Sequence, residues 1–186
     1  MKWMIASDIH GNAVSCGQML RCLENEKADR LLLLGDILYH GPRNEVTEGY
    51  QPKAVAAMLN GIREKLLCVR GNCDCEVDQM MLDFPIMADY ALLDTGKLLI
   101  FATHGHIYNE NNLPPLKQGD ILLHGHTHVP FHMEKDGIVC MNPGSVTISK
   151  DGSIRGYMTL ENGLFIWKAL DGAEYDRLST SQNIAG

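Results

Sequence analysis

The first 70 residues alternate short apolar runs with stretches of helical periodicity. Three apolar runs predict buried strands: residues 2–7, Leu31–Leu34 and Leu66–Arg70. Between them, apolar residues recur at helical spacing from Val14 to Glu26 and from Pro52 to Lys65, which predicts two helices. Apolar runs without polar alternation are typical of strands that are covered on both faces of a parallel sheet. The pattern therefore predicts a β-α-β-α-β unit.

From Ala88 onward the pattern changes to short strands that are separated by turns. The strand-like runs are Leu98–Thr103, Ile121–His124, Ile138–Met141 and Tyr157–Leu160. The turn signals are Thr95-Gly96, Asp136-Gly137 and Asn162-Gly163. The two halves together predict an α/β protein with two mixed sheets packed against each other and helices outside. We expect a single domain over residues 1–172 and a loosely ordered polar tail over residues 173–186.

The composition is that of an ordinary soluble globular chain. Of the 186 residues, 45% are hydrophobic and 21% are charged, which excludes an intrinsically disordered protein. No apolar run approaches the roughly 20 residues of a membrane span, and the N-terminus lacks the long apolar stretch of a secretory signal. The six cysteines form no CxxC pair. These features predict reduced thiols, a cytoplasmic location and no membrane partner.

The charge balance argues against stable nucleic-acid binding. The chain has 16 Lys and Arg against 23 Asp and Glu, so its formal net charge is −7, and no basic cluster interrupts this balance. Binding to a nucleic-acid backbone depends on such a cluster. Bound divalent cations would still make a single pocket positive while the surface remained acidic.

Polar side chains follow the apolar runs at five places. The segments are Asp8-Ile9-His10, Gly35-Asp36, Gly71-Asn72, Thr103-His104 and Gly125-His126-Thr127-His128. Carboxyl ends of strands in an open α/β sheet are where ligands bind. Asp, His and Asn side chains suit Mn²⁺, Fe, Zn²⁺ or Mg²⁺. A turn or a helix cap explains most of these segments when each is taken alone, but the five together predict a metal site.

The order DxH, GD, GN, GH and GHTH resembles the calcineurin-like metallophosphoesterases over nearly the whole chain. Within that superfamily, the segments LGDILYHGPRN, RGNCD and NPGS resemble the small bacterial YfcE-type phosphodiesterases. The resemblance implies a four-layer α/β/β/α sandwich that holds two divalent metal ions. Manganese is the implied metal, with zinc, iron, nickel and magnesium as alternatives. The implied metal ligands are Asp8, His10 and His128 on one ion, Asn72, His104 and His126 on the other, and Asp36 as the bridging carboxylate.

The resemblance also implies a reaction, in which a metal-bridging hydroxide attacks phosphorus in line and hydrolyses a small phosphodiester. The implied catalytic residues are Asn72, Cys73 and His104. Family members commonly carry His after the motif Asn as a proton donor, whereas this chain has Cys73. A thiol can donate a proton but is uncharged at neutral pH, which favours a diester over a monoester as substrate. A redox pair of Cys73 and Cys75 is the rival interpretation of these two thiols.

Three further residues are candidates for substrate binding. His40 and Arg43 lie in the loop after Asp36, and an arginine can hold phosphate oxygens through two hydrogen bonds. An exposed loop held by Pro42 is an equally good explanation of that segment. Asn12 either bonds to phosphate or caps the helix that follows it.

Two alternatives to a phosphodiesterase stay open. One is a phosphomonoesterase of the same fold. The other is a non-catalytic protein-binding scaffold, similar to the retromer subunit that has this fold. Lost metal ligands would mark a scaffold, and all seven ligand positions are filled in this chain. The sequence also leaves open whether the chain forms a homo-oligomer.

Overall fold

The computed structural model describes residues 1–96 and 98–180. Within these ranges the chain forms strands and three α-helices, and a 3₁₀ turn spans Arg63–Lys65. The strands are β1 (Trp3–Ala6), β2 (Arg30–Leu33), β3 (Leu66–Cys68), β4 (Tyr90–Asp94), β5 (Leu99–Thr103), β6 (Ile121–Leu123), β7 (Phe131–Lys135), β8 (Ile138–Asn142), β9 (Gly156–Glu161), β10 (Leu164–Ala169) and β11 (Glu174–Ser179). The α-helices are α1 (Ala13–Asn25), α2 (Pro52–Asn60) and α3 (Glu76–Gln79).

The strands form two mixed sheets. The six-stranded sheet has the order β11-β10-β9-β1-β2-β3, in which β1, β2 and β3 are parallel and β9 is antiparallel to β1. The five-stranded sheet has the order β4-β5-β6-β8-β7, in which β5, β6 and β8 are parallel and the two edge strands are antiparallel to their neighbours. The parallel strands therefore occupy neighbouring positions in each sheet, and their carboxyl ends share an edge.

The two sheets pack face to face around a buried apolar core. Ile5 and Leu32 from the six-stranded sheet pack in one cluster with Ile100 and Leu123 from the five-stranded sheet. The side chains that alternate with Ile5 and Leu32 point the other way, toward α1 and α2, because successive residues of a strand face opposite sides. Both faces of β1 and β2 are thus buried, as their uninterrupted apolar runs predict.

The outer face of the five-stranded sheet is covered by irregular chain in the described ranges. Phe101 and Leu122 pack there against Tyr108, Leu113 and Leu116, which lie between β5 and β6. The prediction of an α/β fold with two mixed sheets in a layered sandwich is confirmed. The helices that the structure describes cover mainly the six-stranded sheet.

The sequence pattern predicted the central strands and both long helices but not β4, β7, β10 or β11. Three of these are edge strands, and edge strands bury only part of their side chains. Their sequences therefore lack a continuous apolar run. The second helix is also shorter than predicted, because α2 ends at Asn60 and the chain continues as the 3₁₀ turn before β3.

The prediction of a loosely ordered tail from residue 173 is wrong for Glu174–Ser179. This segment is β11, which pairs antiparallel with β10 and packs Tyr175 and Leu178 against the core between the sheets. Its two apolar side chains are separated by charged residues, so the sequence has no apolar run that would have predicted a strand. Residues 181–186 of the predicted tail lie outside the described residues.

No helix in the described ranges has both the length and the apolar character that crossing a membrane requires.

Candidate metal centre

All seven predicted metal ligands come together where the parallel strands of both sheets end. Asp8 and His10 follow β1, Asp36 follows β2 and Asn72 follows β3. From the other sheet, His104 follows β5, and His126 and His128 follow β6.

One group of ligands consists of Asp8, His10 and His128. The Nε2 atom of His128 lies 3.1 Å from Oδ1 of Asp8, and Nε2 of His10 lies 3.5 Å from the same oxygen. The two Nε2 atoms are 3.2 Å apart. One ligand atom from each residue therefore converges on a space that a single cation could fill.

A second group consists of Asn72, His104 and His126. Nε2 of His104 lies 3.1 Å from Oδ1 of Asn72 and 3.1 Å from Nδ1 of His126. Asp36 lies between the two groups, because its Oδ2 is 3.5 Å from Nε2 of His104 and 3.7 Å from Nε2 of His10. This position is the one that a bridging carboxylate requires.

Backbone carbonyls fix the orientation of three of the imidazole rings. Nδ1 of His10 lies 2.9 Å from the Tyr39 carbonyl, and Nδ1 of His104 lies 2.7 Å from the Leu34 carbonyl. Nδ1 of His128 is likewise 2.7 Å from a backbone carbonyl. Because a carbonyl only accepts, each Nδ1 carries the hydrogen, and in the neutral ring Nε2 then presents a lone pair to the centre.

The residues present fit a bound cation. With Nδ1 protonated, the Nε2 lone pairs of His10 and His128 face each other at 3.2 Å and face a carboxylate oxygen as well. That oxygen, Oδ1 of Asp8, is buried and has no hydrogen-bond partner among the described residues. Lone pairs at such distances repel unless positive charge lies among them. Nitrogen and oxygen ligands of this kind suit first-row divalent metals.

The pKa values of Asp8 and His104 show the same demand for positive charge. Burial alone would raise the pKa of Asp8, but hydrogen bonds from protonated imidazole rings around it, that of His10 first, outweigh burial and hold that pKa well below the usual range. Burial lowers the pKa of His104, yet the adjacent Asp36 and Asp8 carboxylates outweigh it and raise this pKa to about 9. For His126, burial and the nearby His104 lower the pKa to about 4.

Five of the candidate ligands have left-handed backbone conformations that L-residues rarely adopt. Their φ angles are 59° for Asp8, 49° for His10, 55° for Asp36, 68° for His126 and 64° for His128. Each such residue costs on the order of 1–3 kcal/mol, and strain of this kind concentrates at functional sites. The local conformation therefore serves the placement of these side chains rather than the stability of the chain.

Two glycines let the backbone approach the ligands. A Cβ atom on Gly71 would collide with the Asp36 carboxylate and backbone, and one on Gly125 would collide with the Ser7 hydroxyl and approach Asp8. Because the obstructing atoms include backbone and buried ligand groups, these positions admit no side chain.

Asp74 is a buried positioning residue whose role the sequence motifs did not predict. Its carboxylate accepts hydrogen bonds from the backbone N–H groups of Asp36 at 2.8 Å, Ile37 at 2.9 Å and Gly71 at 2.7 Å. One side chain thus ties the turn after β2 to the turn after β3. The segment RGNCD contains Asp74, but only the fold shows which N–H groups it reaches.

The NPGS segment (142–145) and the two residues after it hold the backbone of Asp8 and Ile9 through hydrogen bonds. The Ser145 hydroxyl donates to the Asp8 carbonyl at 2.9 Å, and the Thr147 hydroxyl donates to the Ile9 carbonyl at 2.8 Å. The Ser7 hydroxyl donates to Oδ2 of Asp8 at 2.6 Å. The backbone and one carboxylate oxygen of Asp8 are therefore held by hydroxyl groups, while its other carboxylate oxygen faces the centre.

A cleft of about 640 Å³ opens onto the metal centre. It is lined by candidate ligands together with Tyr39, Arg43, Cys73, Cys75 and Lys150. Arg43 is exposed, as its predicted role in substrate binding requires. Lys150 was not among the predicted site residues, because it lies outside the motifs.

Two predicted substrate-binding residues do not line this cleft. The Asn12 side chain accepts from Ser15 N at 2.9 Å and donates to Thr47 and Glu48, so it caps α1 and holds the loop before α2. The His40 ring packs between the rings of Tyr39 and Tyr50. The capping alternative describes Asn12, and a direct phosphate contact by Asn12 or His40 stays a prediction.

Cys73 lies beside the bridging position. Its backbone N–H donates to Oδ1 of Asp36 at 2.8 Å, and its sulfur forms a ligand-spaced group with His10 and Asp36. Burial and the Asp36 carboxylate raise the pKa of the thiol. All six cysteines are free, so Cys73 and Cys75 do not form the redox disulfide of the rival interpretation in this structure.

This fold, with its cluster of candidate metal ligands at the strand ends, is that of the calcineurin-like phosphoesterase class. The family model for the calcineurin-like phosphoesterase superfamily domain matches residues 1–163, and the chain belongs to this superfamily. It is accordingly a metal-dependent phosphoric ester hydrolase.

Known relatives resemble the chain over nearly its full length. Phosphodiesterase YfcE from Escherichia coli (strain K12) is 46% identical over 171 residues, which cover 92% of this chain and 93% of YfcE. The solved structure of the E. coli phosphoesterase YfcE has a TM-score of 0.93 and 43% identity, and the match covers 97% of this chain and 100% of that one. Vacuolar protein sorting 29 from Cryptosporidium parvum shares the fold alone, with a TM-score of 0.60 and 19% identity over 96% of this chain and 97% of that one.

Proposed function

We propose that this chain is a dinuclear-metal phosphodiesterase that hydrolyses a small phosphodiester, with manganese as the metal. The observation that carries the proposal is the position of Asp36 between two groups of ligands whose lone pairs converge. The E. coli relative that is 46% identical to this chain is a phosphodiesterase, which supports a diester as the substrate class.

The ligands divide between two cations as the resemblance implies. Asp8, His10 and His128 would hold one, and Asn72, His104 and His126 would hold the other, with Asp36 shared. Two divalent cations bound there would supply a nucleophile at neutral pH and positive charge for the phosphoryl oxygens. The carboxylates of Asp8 and Asp36 contribute −2, so the loaded pocket is cationic although the chain as a whole is acidic.

The chain's own residues orient the substrate around this centre. Asn72 is exposed to the cleft, with its Oδ1 near His104 and its Nδ2 3.3 Å from the Cys73 sulfur. Arg43 lines the same cleft and can bind phosphate oxygens of the scissile group. Cys73 lies beside Asp36 in the same cleft and would supply the proton that a leaving oxygen needs.

Manganese matches the chemistry of the ligands better than a thiophilic metal does. The seven ligands offer imidazole nitrogen, carboxylate oxygen and amide oxygen. None of these seven residues is a cysteine. Imidazole and carboxylate donors without thiolate suit Mn²⁺.

The test compares chelated and metal-loaded enzyme on a matched pair of substrates. Hydrolysis of bis(4-nitrophenyl) phosphate should be lost almost completely after chelation and should return on addition of Mn²⁺. The loaded enzyme should cleave this diester with a higher kcat/KM than 4-nitrophenyl phosphate. Full activity in a sample shown by elemental analysis to be metal-free would refute the metal mechanism. Preference for the monoester would instead support the phosphomonoesterase alternative.

A further inference from the structure

Lys150 is held beside the metal centre by a turn that is anchored to His128. The Ile148 carbonyl lies 2.7 Å from Nδ1 of His128, and the Ser153 hydroxyl donates to the His128 carbonyl at 3.2 Å. Within the turn, the Ser153 N–H donates to the Lys150 carbonyl at 2.9 Å. Both sides of the turn are thus hydrogen-bonded to His128, and these bonds fix the backbone position of Lys150.

The Lys150 side chain lines the cleft without a partner of its own. Its ammonium group makes no ion pair or hydrogen bond with any residue in the ranges 1–96 and 98–180. The carboxylate that lines the cleft in the described structure is that of Asp36, which the two proposed metal ions would share. The ammonium charge is therefore available to a ligand in the cleft, although the chain carries a net charge of −7.

Arg43 enters the cleft from a different turn, on the side of Cys73. The Asn44 side chain holds this turn by donating to the His40 carbonyl at 2.7 Å, and Gly41 lies against the Cys73 sulfur. The two cationic side chains thus come from separate turns, one tied to His128 and one packed on Cys73. In the proposed function the scissile phosphate would be held by two metal ions and Arg43, which leaves the charge of Lys150 without a role in holding that phosphate.

We propose that Lys150 binds a second anionic group of the substrate. The natural substrate would then be a phosphodiester in which one substituent carries a carboxylate or a phosphate. An ammonium group is a flexible point charge, so it suits an anion at the end of a mobile substituent better than a planar, two-bond contact. This inference rests on the proposed phosphodiesterase function and names its substrate class.

The test uses diesters that differ in one terminal group. 4-Nitrophenyl 2-carboxyethyl phosphate and 4-nitrophenyl 3-hydroxypropyl phosphate have substituents of similar size, and only the first has a second anion. The ratio of their kcat/KM values should favour the carboxylate in the parent and should fall about 1.4- to 5-fold in Lys150→Gln, the range of one exposed ion pair. Lys150→Arg should restore the ratio and Lys150→Glu should invert it.

Further comparisons assign the effect to this position. Lys117→Gln removes an exposed lysine outside the cleft and should leave the ratio unchanged. Arg43→Gln should lower kcat/KM for both diesters together. A 2-phosphonoethyl diester separates the two sources of the anion, since a larger Lys150-dependent ratio for it than for the carboxylate would point to a phosphate.

The outcomes also separate this inference from the proposed function. If neither diester is hydrolysed by manganese-loaded enzyme, the phosphodiesterase proposal fails. If both are hydrolysed but the ratio is the same in the parent, Lys150→Gln and Lys150→Glu, the phosphodiesterase proposal stands and the second-anion site is refuted.

Discussion

Asp36 has neighbours on both sides of the metal centre, whereas His128 has them on one. Oδ2 of Asp36 lies 3.5 Å from Nε2 of His104 and 3.7 Å from Nε2 of His10, which belong to different ligand groups. His128 contacts only Asp8 and His10 within its own group. Removing one carboxylate should therefore affect both cations, while removing one imidazole should loosen one.

This difference predicts unequal metal retention. Asp36→Ala should retain less than one equivalent of metal, because both binding positions lose an anionic ligand. His128→Ala should retain about one equivalent, at the position formed by the other group. Elemental analysis after gel filtration in manganese-containing buffer measures both, with circular dichroism as the control for folding. Two retained equivalents in Asp36→Ala would contradict the bridging role.

Cys73 is the residue that we propose as the proton donor to the leaving oxygen. Its sulfur lines the cleft and lies within ligand spacing of Asp36 and His10. A proton donor matters most when the leaving group is a poor one, because a good leaving group departs as a stable anion without help. Nitrophenolate is a good leaving group and an alkoxide is a poor one.

We therefore predict that Cys73→Ser will leave the hydrolysis of a nitrophenyl diester nearly unchanged. The same variant should slow a diester with an alkyl leaving group by about 10-fold or more, within the range of general acid catalysis. Cys73→His should shift the preference toward monoesters, because an imidazolium offsets their additional negative charge. The measurement is kcat/KM for matched monoesters and diesters in the three proteins. Equal ratios in all three would mean that Cys73 only fills space beside the metals.

At the scale of elements, burial decides which parts of the fold the sequence reveals. Strands β1 and β2 bury both faces, so they read as uninterrupted apolar runs and were predicted. The edge strands β4, β7 and β11 are partly exposed, and their mixed composition resembles a loop. These strands form because they pair with neighbouring strands, and the composition of a segment does not indicate such pairing.

The candidate site was predicted to the extent that its residues lie in short motifs. The seven ligands follow strand ends, and their order carries the family resemblance. Asp74 and Lys150 were missed for a different reason, since their roles arise from contacts between turns that are far apart in sequence. Asn12 was ambiguous because one residue type serves both phosphate binding and helix capping.

Glu26 joins the end of α1 to the six-stranded sheet. Its carboxylate is 10% exposed and accepts hydrogen bonds from Lys2, Lys168 and the Tyr157 hydroxyl. Burial alone would raise the pKa of Glu26, but these bonds outweigh burial and lower the pKa from its usual 4.5. The ionised form therefore stabilises the fold.

The lowered pKa of Glu26 predicts that its contribution to stability depends on pH. Glu26→Gln should lower the free energy of unfolding by about 1–2 kcal/mol at pH 7, because charge-assisted bonds become neutral ones. The contribution is complete above about pH 4.5 and is lost as pH falls through the lower folded-state pKa. Urea unfolding at pH 7 and below pH 4.5 measures the difference, with the exposed Glu24→Gln on the same helix as control. A difference that grows on acidification would contradict the assignment.

At the scale of the whole molecule, the metal centre is built against local stability. Five ligands hold left-handed backbone conformations, and buried lone pairs of His10, His128 and Asp8 face one another. The rest of the fold must supply the energy that keeps these groups together, through the core between the sheets and through Asp74, Ser145 and the other supporting contacts. A cation that binds only the folded chain relieves the repulsion and stabilises the whole domain.

Metal binding should therefore raise the melting temperature. At a free Mn²⁺ concentration of about 100 times the dissociation constant, one site contributes about 2.7 kcal/mol. For a chain of this length, that corresponds to an increase of about 5–10 °C. Differential scanning calorimetry of chelated protein, with and without added Mn²⁺, measures the shift. Asp8→Asn, which weakens one ligand group without changing side-chain size, should show a smaller increase. Equal melting temperatures for metal-free and loaded protein would mean that the cluster does not hold manganese.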